Sequence, residues 1–146
     1  MDKISAFIGE YRWLSNFWML SQPIYFMGRY FRSTEHLYQA CKASNSLDFD
    51  SIAVASTPGE ARKRGKKIKV RDDWDEIKLC VMQVALRLKF AIPELREKLL
   101  ATGNTKLVEG NSWGDAWWGV DEKTGQGHNY LGKMLMKLRD EYKKTL

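Results

Sequence analysis

Residues 73–91, DWDEIKLCVMQVALRLKFA, form the longest stretch of the sequence with a single periodicity, and this stretch decides the fold class. Its apolar residues recur every three and four positions, which is the spacing of a helix face packed on a core. The sequence therefore predicts a long α-helix. We expect its core face to contain Ile77, Val81, Val84, Leu88 and Ile92.

Start and stop signals on both sides of this stretch predict further helices. The strongest start lies at Thr57, because a threonine cap followed by Pro58 and Glu60 is a capping box with proline at the first helical position. The additional helices are predicted at residues 34–45, 47–56, 57–68, 93–103 and 130–144.

Short β-like runs occur near the N-terminus, and no regular alternation of strands and helices follows them. The runs are ISAFI at 4–8, FWML at 17–20 and PIYFMGRYFRS at 23–33, with a turn or a bulge expected at Gly28. The predicted fold is mainly α with a small β portion near the N-terminus. At 146 residues, the sequence is most simply a single compact domain, residues 1–146.

Positive charge is concentrated in one part of the chain, ARKRGKKIKVR at residues 61–71, which we call the basic segment. It holds seven of the 24 Lys and Arg residues, and the formal net charge of the chain is +6. Such a segment favours an anionic partner: phosphate, pyrophosphate or nucleic acid. A solvated helix face would give the same pattern. Under the first interpretation, Lys66 is a candidate for binding substrate phosphate, with Arg64 and Arg71 as neighbours.

Several common kinds of site have no sequence pattern here. His36 and His128 lack metal-ligand spacing, and Cys41 and Cys80 lack metal or redox spacing. No dinucleotide-binding glycine motif, phosphate loop or serine-nucleophile elbow occurs. No stretch is apolar enough to span a membrane. We therefore expect a cytoplasmic protein with reduced thiols, no metal, no cofactor and no membrane partner.

TEHLYQACKA, residues 34–43, places three polar side chains on one face of a predicted helix. Glu35, Gln39 and Lys42 occupy positions i, i+4 and i+7. A solvated surface stripe would explain this arrangement. A cleft wall on which a carboxylate and an amine flank a small substrate would explain it as well, and either group could then take part in catalysis.

EGNSWGDAWWG, residues 109–119, contains three tryptophans together with Glu109 and Asp115. The indoles could fill the core beneath a loop, or they could form a flat wall on which a heterocyclic base stacks. Trp74, just after the basic segment, is a further stacking candidate. An aromatic wall near a basic patch indicates a nucleotide or ribosyl-phosphate ligand.

Five blocks of the sequence, in order, resemble the NADAR, or YbiA-like, family. They are YRWLSNF at 11–17, STEHLYQACKA at 33–43, RDDWDEIK at 71–78, LLATGNTKLVEGNSWGDAWWG at 99–119 and GQGHNYLGKMLMKLR at 125–139. The resemblance covers nearly the whole chain. It implies a compact, mainly helical domain with N-glycosidase activity on ribose joined to a nitrogen.

The resemblance also implies substrates and site residues. The substrate is either a phosphoribosylamino-pyrimidine intermediate of riboflavin synthesis or ADP-ribosylated guanine in DNA or RNA. The implied catalytic residues are Glu35, Lys42 and Asp115. The implied substrate-binding or organising residues are Arg12, Asn16, Gln39, Trp74, Glu109, Trp118, Gly119 and Asn129.

Cleavage of a C–N glycosidic bond is compatible with these residue types. Positive charge develops on the sugar, so Glu35 or Asp115 could stabilise it or move a proton. If the ribose ring opens, Lys42 could attack C1′ and form a Schiff base, which requires a neutral amine and hence a lowered pKa. The alternatives from other classes are a non-catalytic ADP-ribose or nucleotide-binding module and a nucleic-acid-binding module that uses the basic segment.

Overall fold

The computed structural model describes residues 3–146, and its contacts divide the chain into two compact units. The expected mainly helical class is confirmed. The helices are α1 (Thr34–Cys41), α2 (Ser46–Ala53), α3 (Pro58–Gly65), α4 (Trp74–Phe90), α5 (Pro93–Ala101) and α6 (Tyr130–Lys144), with a 3-10 helix at Gly9–Leu14. The strands are β1 (Lys3–Ile4), β2 (Ile24–Phe26), β3 (Arg29–Phe31), β4 (Lys106–Leu107), β5 (Gly110–Asn111) and β6 (Val120–Asp121).

The unit Asn16–Ile92 is built around α1, which packs against α2, α3 and α4. Every residue of α1 is buried. The antiparallel hairpin β2–β3 turns at Met27 and Gly28, both with positive φ, as the sequence predicts for Gly28. The start of α3 is also confirmed, since Thr57 accepts a hydrogen bond from the Glu60 amide at 3.0 Å.

The other unit contains residues up to Ser15 and Pro93–Leu146. Two parallel strand pairs, β1–β4 and β5–β6, link its segments. Helix α6 packs on α5 and β4 and buries Leu131, Leu135 and Leu138. No helix within residues 3–146 is both long and apolar enough to cross a membrane.

Three local expectations are wrong. The β-like run at 4–8 contributes only Ile4 to a strand, β1. The run at 17–20 is not a strand; among the described residues, one backbone hydrogen bond connects it to the segment after β3, from the Leu20 amide to the Arg32 carbonyl at 2.7 Å. The buried face of α4 is rotated about the helix axis relative to the predicted core face. The members of the predicted face are half-buried, and the fully buried positions are Met82, Ala85, Leu86, Lys89 and Phe90. A hydrophobicity pattern cannot assign this face to the core because a lysine lies on it.

Lys89 has no exposed surface, which is exceptional for a charged side chain. Burial lowers the pKa of Lys89 to about 7, because desolvation disfavours the ammonium form. Between about pH 7 and the ordinary value of 10.5, the folded state therefore binds fewer protons than the unfolded state. Within this window, Lys89 makes the free energy of unfolding rise as the pH rises.

We expect Lys89→Met to stabilise the protein at neutral pH and to flatten this rise. Each pKa unit corresponds to about 1.4 kcal/mol, so the effect is on the order of a few kcal/mol. Urea unfolding at about pH 7 and about pH 10 measures it. Lys137→Met, at an exposed position of α6, is the control and should retain the wild-type dependence. An unchanged pH dependence in Lys89→Met would contradict this account.

Candidate active site

The polar face of α1 lies inside the protein. Glu35 is 7% exposed, Gln39 is 6% exposed and Lys42, the C-cap residue, is half-buried. A solvated surface stripe is therefore not what the helix carries. Burying polar groups costs free energy unless they are hydrogen-bonded or serve a function. This buried polar face is therefore a candidate catalytic or binding site.

Two residues outside α1, Ser33 and Asn16, fix its first turn through hydrogen bonds. The Ser33 hydroxyl caps the helix by accepting from the His36 amide at 3.1 Å. The Asn16 carbonyl accepts from the Glu35 amide at 3.1 Å, and the Asn16 side chain accepts from the Thr34 hydroxyl at 2.7 Å. Asn16 thus organises the turn that carries Glu35.

Glu35 and Gln39 are joined by a hydrogen bond. Gln39 Nε2 donates to Glu35 Oε2 at 2.7 Å. Gln39 Oε1 is buried and has no hydrogen-bond partner in the described chain. Gly65, at the end of α3, lies against this amide, and a Cβ at that position would overlap Gln39 Oε1. Gln39 therefore positions the carboxylate and offers one acceptor that a ligand hydroxyl could satisfy.

Lys42 is the basic group of this face. Burial lowers its pKa, Glu35 opposes that shift, and the positive charges of Arg62 and Lys66 reinforce it. A lowered pKa increases the fraction of neutral amine at physiological pH, and only a neutral amine acts as a nucleophile. The α1 face thus brings together a carboxylate and an amine that is easier to deprotonate than a solvated lysine.

Trp74 begins α4 and is buried against α1. Its ring packs on Tyr38 with 5.0 Å between ring centroids and a 59° tilt. This contact positions one indole beside the helix that carries the polar face.

Within residues 3–146, some cations of the basic segment have side-chain partners and others do not. Arg64 donates to the Ser51 carbonyl at 2.6 Å and pairs with Glu60 at 3.3 Å. Arg71 forms a two-point ion pair with Asp73, at 2.6 and 3.0 Å. Lys66 is exposed at the C-cap of α3. Two expected neighbours of a phosphate are thus already engaged within the protein, whereas Lys66 is accessible.

The second set of predicted site residues lies in the other unit, where Asp115 organises a tight turn. Its Oδ1 accepts from the amides of Trp117 and Trp118 at 3.1 and 2.9 Å. Asn111 closes the same turn by accepting from the Asp115 amide at 3.0 Å and donating to its carbonyl at 2.8 Å. These bonds hold one Asp115 oxygen and orient both indoles.

Glu109 is held by Asn129 and by a close approach of the backbone. Asn129, in a left-handed conformation with φ of 51°, accepts from the Glu109 amide at 3.0 Å and donates to the Leu107 carbonyl at 3.0 Å. Asn111 Nδ2 donates to Glu109 Oε2 at 3.1 Å. A Cβ at Gly119 would overlap Glu109, so this position requires glycine.

The aromatic residues of this unit differ in burial. Trp117 packs on Tyr130, with ring centroids 4.5 Å apart, and Trp118 is half-buried. Trp113 is 62% exposed. Arg12 lies exposed on the 3-10 helix, where its guanidinium donates to the Gly9 carbonyl at 3.4 Å. Trp117, like Trp118, is half-buried.

The family follows from comparison with known proteins. The NADAR domain family matches residues 6–143, which is most of the chain. The chain belongs to the NADAR family.

Named relatives and a solved structure resemble this NADAR chain along most of its length. N-glycosidase YbiA of Escherichia coli is 38% identical over 135 residues, covering 90% of this chain and 82% of the relative. N-glycosidase Npun_R5314 of Nostoc punctiforme is 39% identical, covering 84% and 81%. The NMR structure of E. coli YbiA has a TM-score of 0.83 at 36% identity, covering 98% of this chain and 84% of that one. The chloroplastic riboflavin biosynthesis protein PYRR of Arabidopsis thaliana is 44% identical over 100 residues, 64% of this chain and 16% of that protein.

Arg62 is a charged neighbour of Lys42 that the sequence analysis did not select. Within the NADAR chain it lies one helical turn before Lys66, on the same face of α3. The only signal in the sequence was this i, i+4 spacing inside a segment where seven of eleven residues are basic. The packing of α3 on α1 distinguishes Arg62 from the other cations.

The contact between Gly65 and Gln39 gives a matched pair of substitutions in one helix. Gly65→Ala should displace the Gln39 amide and with it the Glu35 carboxylate, lowering kcat by about 10–100-fold. Gly59→Ala, also in α3, places its Cβ no nearer than 3.9 Å to other atoms, so activity should be retained. Steady-state kinetics with thermal melting tests both variants. Equal activity in the two would show that the Gln39 position does not matter.

Proposed function

We propose that this protein is an N-glycosidase that hydrolyses the bond between C1′ of a phosphate-bearing ribosyl group and a nitrogen of a base or amine. The observation that carries the proposal is the buried polar face of α1, where Glu35 and Lys42 lie two helical turns apart. Relatives named as N-glycosidases, similar to this chain over most of their length, support the same reaction class.

Lys42 acts as the nucleophile in this proposal. Its neutral amine attacks C1′, the C1′–N bond breaks, and the leaving nitrogen takes up a proton. The ring oxygen becomes a hydroxyl as C1′ forms a Schiff base with Lys42. Water then adds to C1′, which releases the sugar aldehyde and the free amine. The net change is the addition of one water molecule across the glycosidic bond.

Glu35 handles protons or stabilises the positive charge on the sugar, and Gln39 supports it. The 2.7 Å bond from Gln39 fixes the carboxylate, while Gln39 Oε1 accepts from a ribose hydroxyl. Trp74 contributes an aromatic surface, Asn16 orients the first turn of α1, and Lys66 binds phosphate. This scheme uses no metal and no cofactor.

The family resemblance adds residues of the other unit to the proposal. Asp115 is the second catalytic carboxylate. Glu109, Trp118, Gly119, Asn129 and Arg12 bind the substrate or hold the residues that do. Both units then belong to one NADAR domain. We place the reaction in the cytoplasm because Cys41 and Cys80 are free thiols.

A hydrolysis assay on two substrates tests the function. One is a phosphoribosylamino-pyrimidine, as the relative named for riboflavin biosynthesis suggests, and the other is ADP-ribosylated guanine in DNA or RNA. We expect release of free base from one of them, measured by chromatography. Binding of ADP-ribose without release of base from either substrate would favour a non-catalytic binding module.

A further inference from the structure

Arg62 and Lys66 are two cations, one helical turn apart, on the helix that packs against the polar face of α1. We infer that Arg62 and Lys66 together form the site that binds a phosphate on the ribosyl group of the substrate. This inference rests on the proposed function and adds Arg62, for which neither the family resemblance nor the comparisons give a role.

The packing of α3 on α1 places this pair beside the reacting groups. The two helices approach closely where Gly65 meets the Gln39 amide. Residues 62 and 66 share a face because i, i+4 side chains are neighbours on a helix. Arg62 is half-buried and Lys66 is exposed. One cation thus faces inward near Lys42 and the other lies at the rim.

Neither member of the pair has an acceptor inside the described part of the protein. Arg64 and Arg71, by contrast, are engaged by Glu60, Ser51 and Asp73. An open depression of about 370 Å³ next to Arg71 is lined by as many carboxylates as cations, namely Lys69, Arg71, Asp72 and Asp73. Within the basic segment, the uncompensated positive charge nearest the candidate catalytic lysine therefore belongs to Arg62 and Lys66.

The charges around Lys42 do not balance without an anion. The charged groups that act on its amine are Glu35 from α1 and Arg62 and Lys66 from α3. With Lys42 neutral, as its nucleophilic role requires, two cations still face one carboxylate in a partly buried place and repel one another. A phosphate monoester carries a charge of about −1.5 to −2 at neutral pH, which compensates the excess. A guanidinium also binds phosphate oxygens through two parallel hydrogen bonds.

The phosphate can come from two sources with the same chemistry. A ribosyl 5-phosphate provides a terminal phosphate, and ADP-ribose provides a pyrophosphate at the same carbon. In either case the phosphate is tethered to the sugar whose C1′ reacts with Lys42. The pair would therefore anchor the sugar while α1 carries out the chemistry.

Calorimetric titration with ribose 5-phosphate, ADP-ribose and ribose tests the inference without relying on turnover. We expect wild type to bind at least one phosphorylated ligand more tightly than ribose. Arg62→Gln and Lys66→Gln should each weaken that binding by about tenfold or more, because each removes a charge-assisted hydrogen bond. Lys67→Gln removes the same charge from an exposed neighbour and should change affinity less than about twofold.

The ligand that shows the tenfold losses identifies the source of the phosphate. The inference would be overturned if Arg62→Gln bound the phosphorylated ligand as tightly as wild type. It would also be overturned if Lys67→Gln lost as much affinity as Arg62→Gln. A wild-type affinity for both phosphorylated ligands no greater than for ribose would overturn it too. Failure of the proposed function has a different signature, because phosphate-dependent binding would persist while no base is released. Circular dichroism of each variant confirms that it is folded.

Discussion

Lys42→Arg is expected to abolish N-glycosidase activity, with kcat falling by about 10³-fold or more. A guanidinium stays protonated and cannot form a Schiff base, although it keeps the positive charge and much of the side-chain volume. The substitution therefore separates nucleophilic chemistry from simple charge. Because Lys42 is only half-buried at the end of α1, the variant should remain folded.

Chemical trapping gives an independent measurement of the same role. Borohydride added during turnover delivers hydride to the Schiff base carbon and leaves the sugar attached to Lys42 through a secondary amine. Peptide mass spectrometry should find this adduct on wild type and not on Lys42→Arg. Lys67→Arg, in the basic segment, is the control and should keep both activity and adduct. Wild-type activity in Lys42→Arg would exclude the covalent mechanism.

Glu35→Gln is expected to lower kcat by about 10²–10⁴-fold, the range of general acid–base catalysis. Glutamine keeps the shape of the side chain and can still bond to the Gln39 amide, so the loss would come from the carboxylate charge. Because Glu35 raises the pKa of Lys42, its removal should lower that pKa further. The acidic limb of any residual pH–rate profile should then move to lower pH.

A second carboxylate substitution is the control for Glu35→Gln. Glu60→Gln removes an acid that pairs with Arg64 on the surface of α3, at 3.3 Å. Its effect on activity should be slight, since exposed ion pairs contribute about 0–1 kcal/mol. If Glu35→Gln retained activity like Glu60→Gln, the buried carboxylate would have no part in the reaction.

Local signals predicted much of the helical fold. The sequence predicts the Thr57 cap and the turn at Gly28 directly, because both depend on residues within a few positions of each other. The core face of α4 could not be predicted in this way. Tertiary packing buries Lys89, whereas a hydropathy scale assigns every lysine to the surface. Because burial depends on tertiary packing, the sequence was also compatible with two interpretations of the polar face of α1, a solvated stripe and a cleft wall. Spacing shows that three polar groups share a face, and only packing shows that the face is buried.

Some residues of the candidate site could be predicted from local spacing, and others could not because their positions depend on tertiary packing. The spacing of Glu35, Gln39 and Lys42 predicted that they share one helix face. In the structure, a hydrogen bond joins Gln39 to Glu35. Arg62 was missed because the cations of the basic segment look alike in sequence, and only the packing of α3 on α1 places Arg62 near Lys42. Asp115 bonds to amides two and three residues on, which is a local turn pattern of aspartate, whereas Asn129 bonds to the amide of Glu109, twenty residues away, and no local pattern specifies that bond.

The proposed roles of α1 in the reaction and of α3 in phosphate binding have a consequence for how NADAR proteins diversify. Glu35 and Gln39 are buried and hydrogen-bonded to each other, so replacing either of them disturbs packing as well as reactivity. Arg62 and Lys66, by contrast, are at least partly in solvent and have no acceptor among the described residues, so replacing them costs little folding free energy. Ligand preference can therefore change by substitution on α3 while α1 stays constant, and libraries that vary positions 62 and 66 should yield folded proteins with altered substrate ranges.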